Sequence, residues 1–173
     1  AFTGNVDDRS AANDQVYLRD RFGKHIELLS VTPDGAAANG DTYASSISAD
    51  DNLVAFGSNA TNLLGNGAAA NSDSTGPWQV FVRDRSAGRT YLIPSVGSDH
   101  TIQAADSPVL SADGSRLAFS HNDGAVAVIE VVDLGTSGTT SSVATVSLPD
   151  GLTAQDVVPV LSGDGSTLAY ATP

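Results

Sequence analysis

The side chains with the most chemical capacity in this sequence are carboxylates. Of the 20 acidic residues, 18 are Asp and only Glu27 and Glu130 are Glu. Asp7, Asp8 and Asp14, with Asn13 beside Asp14, gather in one short polar stretch. Calcium takes about six to eight oxygen ligands, and Asp-rich loops of secreted proteins often supply them. Calcium is therefore the metal these three residues would hold. Their spacing is not that of an EF-hand loop, and a solvated acidic loop is their simpler role.

Other chemistries find little support. His25, His100 and His121 show no zinc-ligand spacing and read as scattered surface side chains. The chain has no Cys. That excludes a thiol nucleophile, a Cys-ligated zinc, an iron–sulfur cluster and a disulfide framework. No nucleophile elbow, P-loop or dinucleotide fingerprint occurs. Lys24, the one lysine, stands in a turn and is a poor Schiff-base candidate. No residue is assigned a catalytic role, and no cofactor is expected beyond calcium. With 8 basic and 20 acidic residues the net charge is 8 − 20 = −12. Such a chain repels phosphate backbones, so nucleic acid is not an expected partner.

The elements that must position these residues follow from composition and repetition. Glu and Lys favour helices, whereas Asp favours turns and caps. Their imbalance here, with 17 Gly, argues for strands joined by turns. The chain also repeats itself. Ser48–Phe56 (SADDNLVAF), Ser111–Phe119 (SADGSRLAF) and Ser162–Tyr170 (SGDGSTLAY) share one pattern. A second pattern lies between its copies: Gln15–Arg21 (QVYLRDR) and Gln79–Arg85 (QVFVRDR), with Ala127–Asp133 a degenerate third copy. Ala–aromatic pairs at 1, 55, 118 and 169 give periods of 54, 63 and 51.

Each motif has a physical reading. Apolar runs such as Leu53–Phe56 are too short for helices and suit strands buried in a sheet. Asp113-Gly114 and Asp164-Gly165 are strong hairpin signals, with Asp51 in the Gly position of the first copy. Val80-Phe81-Val82 has strand propensity, and Asp84–Gly88 supplies a second turn. Each period thus holds four strands. Strand a is expected at Ala44–Ser48, Pro108–Ser111 and Pro159–Ser162. Strand b carries the Ala–aromatic pair and strand c the V-[YF]-[LV]-R-D run. Strand d is expected at Ile26–Val31 and Thr90–Ile93. Asp50, Asp113 and Asp164 read as a–b turn carboxylates accepting backbone N–H groups, and Asp20, Asp84 and Asp133 as their c–d counterparts. Arg19, Arg21, Arg83 and Arg85 are expected to pair across strands.

These repeats resemble the blades of TolB-like (WD-type) β-propellers. Pro108–Phe119 and Gln79–Asp84 carry the resemblance most fully, and it extends over nearly the whole chain. Ser45 stands where the other copies have Pro108 and Pro159, and the third R-D pair has lost its Arg. The resemblance implies an all-β fold of four-stranded antiparallel blades, about three blades' worth, in one region, 1–173. Its repeats run 1–54, 55–117 and 118–168, and 169–173 ends a terminal strand. It also implies that Asp41, Asp106 and Asp156, ahead of strand a, lie near the mouth of a central channel. There they would bind a cation or a polar ligand, unless they only cap the incoming loop. The long b–c loop, Gly57–Pro77, would lie on the outer surface, where it could contact a partner.

Three blades do not close a ring. The chain is expected to be a segment of a longer propeller, to be completed by copies of itself, or to close atypically. It begins at Ala1 rather than Met, as a processed or partial chain does. The functional expectation is a non-catalytic, extracellular or periplasmic module that binds a protein or ligand, or serves as a scaffold. One alternative is a structural subunit that builds filaments by strand complementation with copies of itself. Another is a polysaccharide lyase or hydrolase framed by the propeller. No membrane insertion is expected. Asn59-Ala60-Thr61 fits the N-glycosylation pattern.

Overall fold

A computed structural model describes residues 2–4, 13–20, 25–65, 78–94 and 105–173. The fold is all-β, and its thirteen described strands form four antiparallel sheets in chain order. The first sheet holds β1 (Phe2–Gly4), β2 (Gln15–Arg19) and β3 (Ile26–Leu28). The second holds β4 (Thr42–Ile47), β5 (Leu53–Ser58), β6 (Gln79–Asp84) and β7 (Arg89–Ile93). The third holds β8 (Ala105–Leu110), β9 (Arg116–Asp123), β10 (Val126–Leu134) and β11 (Thr140–Ser147). The last pairs β12 (Val158–Leu161) with β13 (Leu168–Ala171). Each sheet is a simple meander in which sequential strands are neighbours.

The apolar runs are explained by burial on both faces. In β5, Val54 and Phe56 join a core shared with Val16 and Leu29 of the first sheet region. Ala55, between them, points to the next core, with Leu117 and Phe119 of β9. In β9 the alternation repeats: Leu117 and Phe119 face back, and Ala118 faces forward to Ile129 and Val157. Successive side chains of a strand project to opposite faces. A strand held between two neighbouring sheets must therefore be apolar at consecutive positions. Small Ala alternating with large Phe lets the sheets approach closely.

Several expected positions shift. Strand a ends one residue before the repeated Ser in every copy and starts earlier than expected, at Thr42, Ala105 and Val158. The Ser has left the ladder because its backbone N–H and hydroxyl close the following turn. Strand β3 stops at Leu28, short of the expected Val31, and Val31 instead bridges to Ala37. Asp133 is a residue of β10 rather than of a turn, and it pairs with Arg116 at 2.9 Å. His121 is not a surface loop residue. It lies in β9, only 4% exposed, with Nε2 3.4 Å from Glu130 Oε2. His100, Lys24 and Arg21 lie outside the described residues. Among the described residues no helix is long and apolar enough to cross a membrane.

Candidate functional site

The two ends of the sheets are built differently. At one end sit the three repeated a–b turns. The Ser48, Ser111 and Ser162 hydroxyls donate to Asp50, Asp113 and Asp164 at 2.6, 2.6 and 2.7 Å. Each Asp also accepts the backbone N–H two residues on, from Asn52, Ser115 and Ser166, at 3.1, 2.9 and 3.0 Å. Each Ser hydroxyl in turn accepts the N–H five residues on. The residue after the Asp takes positive φ: 60° at Asp51, 72° at Gly114 and 69° at Gly165. These bonds satisfy turn donors and stabilise the ionised carboxylate. The Ser48 and Ser111 hydroxyls, followed by backbone N–H groups, hold Asp50 and Asp113 below their ordinary range. The Ser166 N–H and the Ser162 hydroxyl lower Asp164 to about 2. The three carboxylates accept turn N–H groups, as the sequence implies. Asp84 likewise accepts from Ser86 and Ala87 in the c–d turn.

The arginines act at this end too. Arg85 reaches from the second sheet to Glu27 of the first at 2.7 Å. Arg83 donates to Gly88 O and Thr90 Oγ1, and its Nε is buried without a partner. Burial lowers the Arg83 guanidinium.

The opposite end, where strand b finishes and strand a begins, carries an open cleft of about 240 Å³. Among the described residues Trp78, Ala105, Asp106, Asn122, Thr153, Ala154 and Gln155 line it. Backbone and hydroxyl bonds fix these positions. Ala105 N–H donates to Trp78 O at 2.9 Å. Ser120 Oγ donates to Ala154 O at 2.8 Å and to Asp106 O at 3.3 Å. Asn122 Oδ1 accepts the Ala154 N–H at 3.1 Å, so its amide N–H groups are the donors left to face the cleft. Tyr43 packs edge-on against Trp78, with centroids 4.4 Å apart.

Asp106 is set by an irregularity in β8. One extra residue lies between its pairing with Ser120 and that of Val109 with Ala118. Pro108 has no N–H for the ladder, and Ser107 adopts φ 48°. A bulge of this kind re-aims a neighbouring side chain, and a non-glycine residue at positive φ is strained. Asp106 Oδ1 accepts the Ser107 N–H at 2.6 Å. The Tyr43 hydroxyl is buried beside this carboxylate without a hydrogen bond of normal geometry. Burial, with the adjacent Asp106 adding to it, raises the Tyr43 phenol far above its ordinary value.

The three aspartates singled out from the sequence therefore separate. Asp106 lines the cleft. Asp156 lies beside it, but its carboxylate is turned to Thr153, accepting N–H at 2.7 Å and Oγ1–H at 2.8 Å in a capping box. Asp41 is not among the lining residues and accepts the Asp14 N–H at 3.0 Å. Asp14 thus contributes a backbone donor here. Asp7 and Asp8 lie outside the described residues, and no group of three or more metal-ligating side chains occurs among the described ones. Trp78, Tyr43, Asn122 and Gln155 were not singled out from sequence. The one available signal was the single Trp immediately ahead of a strand c. No protein-family model matches this chain, and it matches no curated protein.

Proposed function

We propose that the four sheets are consecutive blades of a TolB-like propeller arc and that the chain is a non-catalytic, extracellular or periplasmic module for binding or scaffolding. One observation carries the reading. The a–b turns of successive sheets are joined in series, Ala49 N–H to Ala112 O at 2.7 Å and Asp113 N–H to Gly163 O at 3.0 Å. Leu110 N–H also donates to Ser46 Oγ at 2.9 Å. The first strands of successive sheets are thus neighbours, as the inner strands of adjacent blades are. The opposite end offers a cleft at which Asp106 is the only ionisable side chain among the described lining residues, a poor basis for acid–base catalysis, which needs a matched pair of groups.

A filament-forming subunit is the second reading, favoured by the last sheet. Val158 and Val160, on one face of it, are 61% and 56% exposed, a face that a further sheet would cover. Light scattering with intact mass on one sample separates the two. A discrete particle of fixed mass is expected from the module, and an open-ended mass distribution from the filament. Release of reducing ends or unsaturated sugars from polysaccharides would sink the non-catalytic reading.

A further inference from the structure

We propose that the cleft at Trp78 and Asp106 binds a neutral saccharide residue. The inference rests on the binding-module reading and names its ligand class. Three features carry it. Trp78 supplies an aromatic wall, and its ring is held by Tyr43 at right angles, interplanar 80°. An aromatic face packs well against the C–H face of a sugar ring, burying apolar area without losing its hydroxyls to a dry surface. Asp106 and the amides of Asn122 and Gln155 converge on the same space. Asp106, whose Oδ1 already takes the Ser107 N–H, can accept a further hydroxyl donor, Asn122 has its amide N–H groups to donate, and the Gln155 amide can do both. That mixture matches adjacent hydroxyls, each of which donates and accepts.

Charge and size narrow the ligand. Among the described residues the lining includes no Lys or Arg, and the chain carries −12. A uronate or sulfated sugar would meet only repulsion at Asp106. The cavity, about 240 Å³, falls below the roughly 300–1,000 Å³ of sites for drug-sized ligands, so it fits one ring. The lining is preorganised by the Ser120, Ala105 and Asn122 bonds, which lowers the cost of binding.

Trp78 is the only tryptophan, so intrinsic fluorescence reports this cleft alone. Neutral trisaccharides of glucose, mannose, galactose, xylose and N-acetylglucosamine would be titrated to about 10 mM, well above a millimolar dissociation constant. At least one should shift the emission saturably. Asp106→Asn should weaken it about tenfold, the value of a charge-assisted hydrogen bond. Gln155→Ala, at an exposed position, should weaken it about threefold, and it decides the matter if Asp106→Asn fails to fold. A silent emission throughout the panel would overturn the proposal. So would an equal response to trigalacturonate or tetramethylammonium, or a response that neither variant weakens. A silent Trp78 in a discrete, inactive particle sinks the site and leaves the module. A saturable response in a filamentous or catalytic protein sinks the module and leaves the site.

Discussion

Ala49 donates its backbone N–H to Ala112 O at 2.7 Å across the gap between two sheets. The two residues hold the same place in their repeats, the position between Ser and Asp. A turn that must be rigid for its own hairpin is thereby also the joint between sheets. The Ser and Asp side chains each hold one further N–H of the turn in place, which keeps that joint fixed. A loose turn would present its carbonyl to the preceding sheet at varying positions.

The third and fourth sheets give the most direct check of this series. A Cβ built on Gly163 would lie 3.7 Å from Ala112 Cβ, inside the span of about 3.5–4.5 Å that disulfides use. The chain has no Cys of its own. Ala112→Cys with Gly163→Cys should therefore form an intramolecular disulfide under mild oxidation, seen in a non-reducing peptide map. If both thiols remain free in folded protein, the two turns are not neighbours.

The left-handed turn residue offers a paired test. Asp51 has φ 60° where the other copies place Gly114 and Gly165. The left-handed region costs an L-residue roughly 1–2 kcal/mol, and Asp tolerates it better than most. Asp51→Gly should raise stability by up to about 1 kcal/mol. Gly114→Ala should lower it by about 1–2 kcal/mol, since its Cβ would also press Leu53 Cδ1 at 3.2 Å. Chemical denaturation midpoints decide it, and equal effects of the same sign would refute the turn assignment.

Acid should act through the same turns. Asp164 titrates at about 2 in the fold against an ordinary 3.8, and Asp50 and Asp113 are lowered as well. A folded value below the unfolded one means the contribution is complete above about pH 4 and is lost as pH falls towards 2. The melting temperature should fall across that window. Asp164→Asn should start lower at neutral pH and fall less on acidification. A variant with the parent's full acid dependence would show that Asp164 contributes nothing to it.

Strand identity and turn chemistry were legible because they are local. Apolar runs beside Asp-Gly pairs have few other uses, and three copies in register remove chance. Strand ends were less so. The repeated Ser looks like strand until its hydroxyl is seen bonding five residues on. His121 was misjudged because a polar ring two residues beyond Phe119 resembles a loop, and only the cross-strand Glu130 gives it a buried partner. The cleft was the least legible part. Trp78 precedes β6, Asp106 and Asn122 come from β8 and β9, and Gln155 from the turn before β12, so no spacing connects them. Asp106 was found because it recurs ahead of strand a. That same recurrence drew in Asp41 and Asp156, neither of which lines the cleft, the Asp156 carboxylate being turned to Thr153.

Tyr170 and Phe119 occupy the same repeat position and meet opposite surroundings. Phe119 is 0% exposed between the second and third sheets, whereas Tyr170 is 45% exposed on β13. Phe119→Ala should cost about 3–5 kcal/mol, because it removes a buried ring and leaves a cavity. Tyr170→Ala should cost only about 1 kcal/mol in the isolated chain, where half the ring is already in water. The contrast matters because the outcome depends on what covers β13. If Tyr170→Ala costs as much as Phe119→Ala, and the cost grows with protein concentration, Tyr170 is buried by another copy. Mass action then enters the stability. That result would favour the filament reading, since the free edge of β13 beside Tyr170 would be closed by a neighbour in the way the edge of β9 is closed by β10. A small, concentration-independent cost would leave the β13 edge in solvent and the filament without its joint.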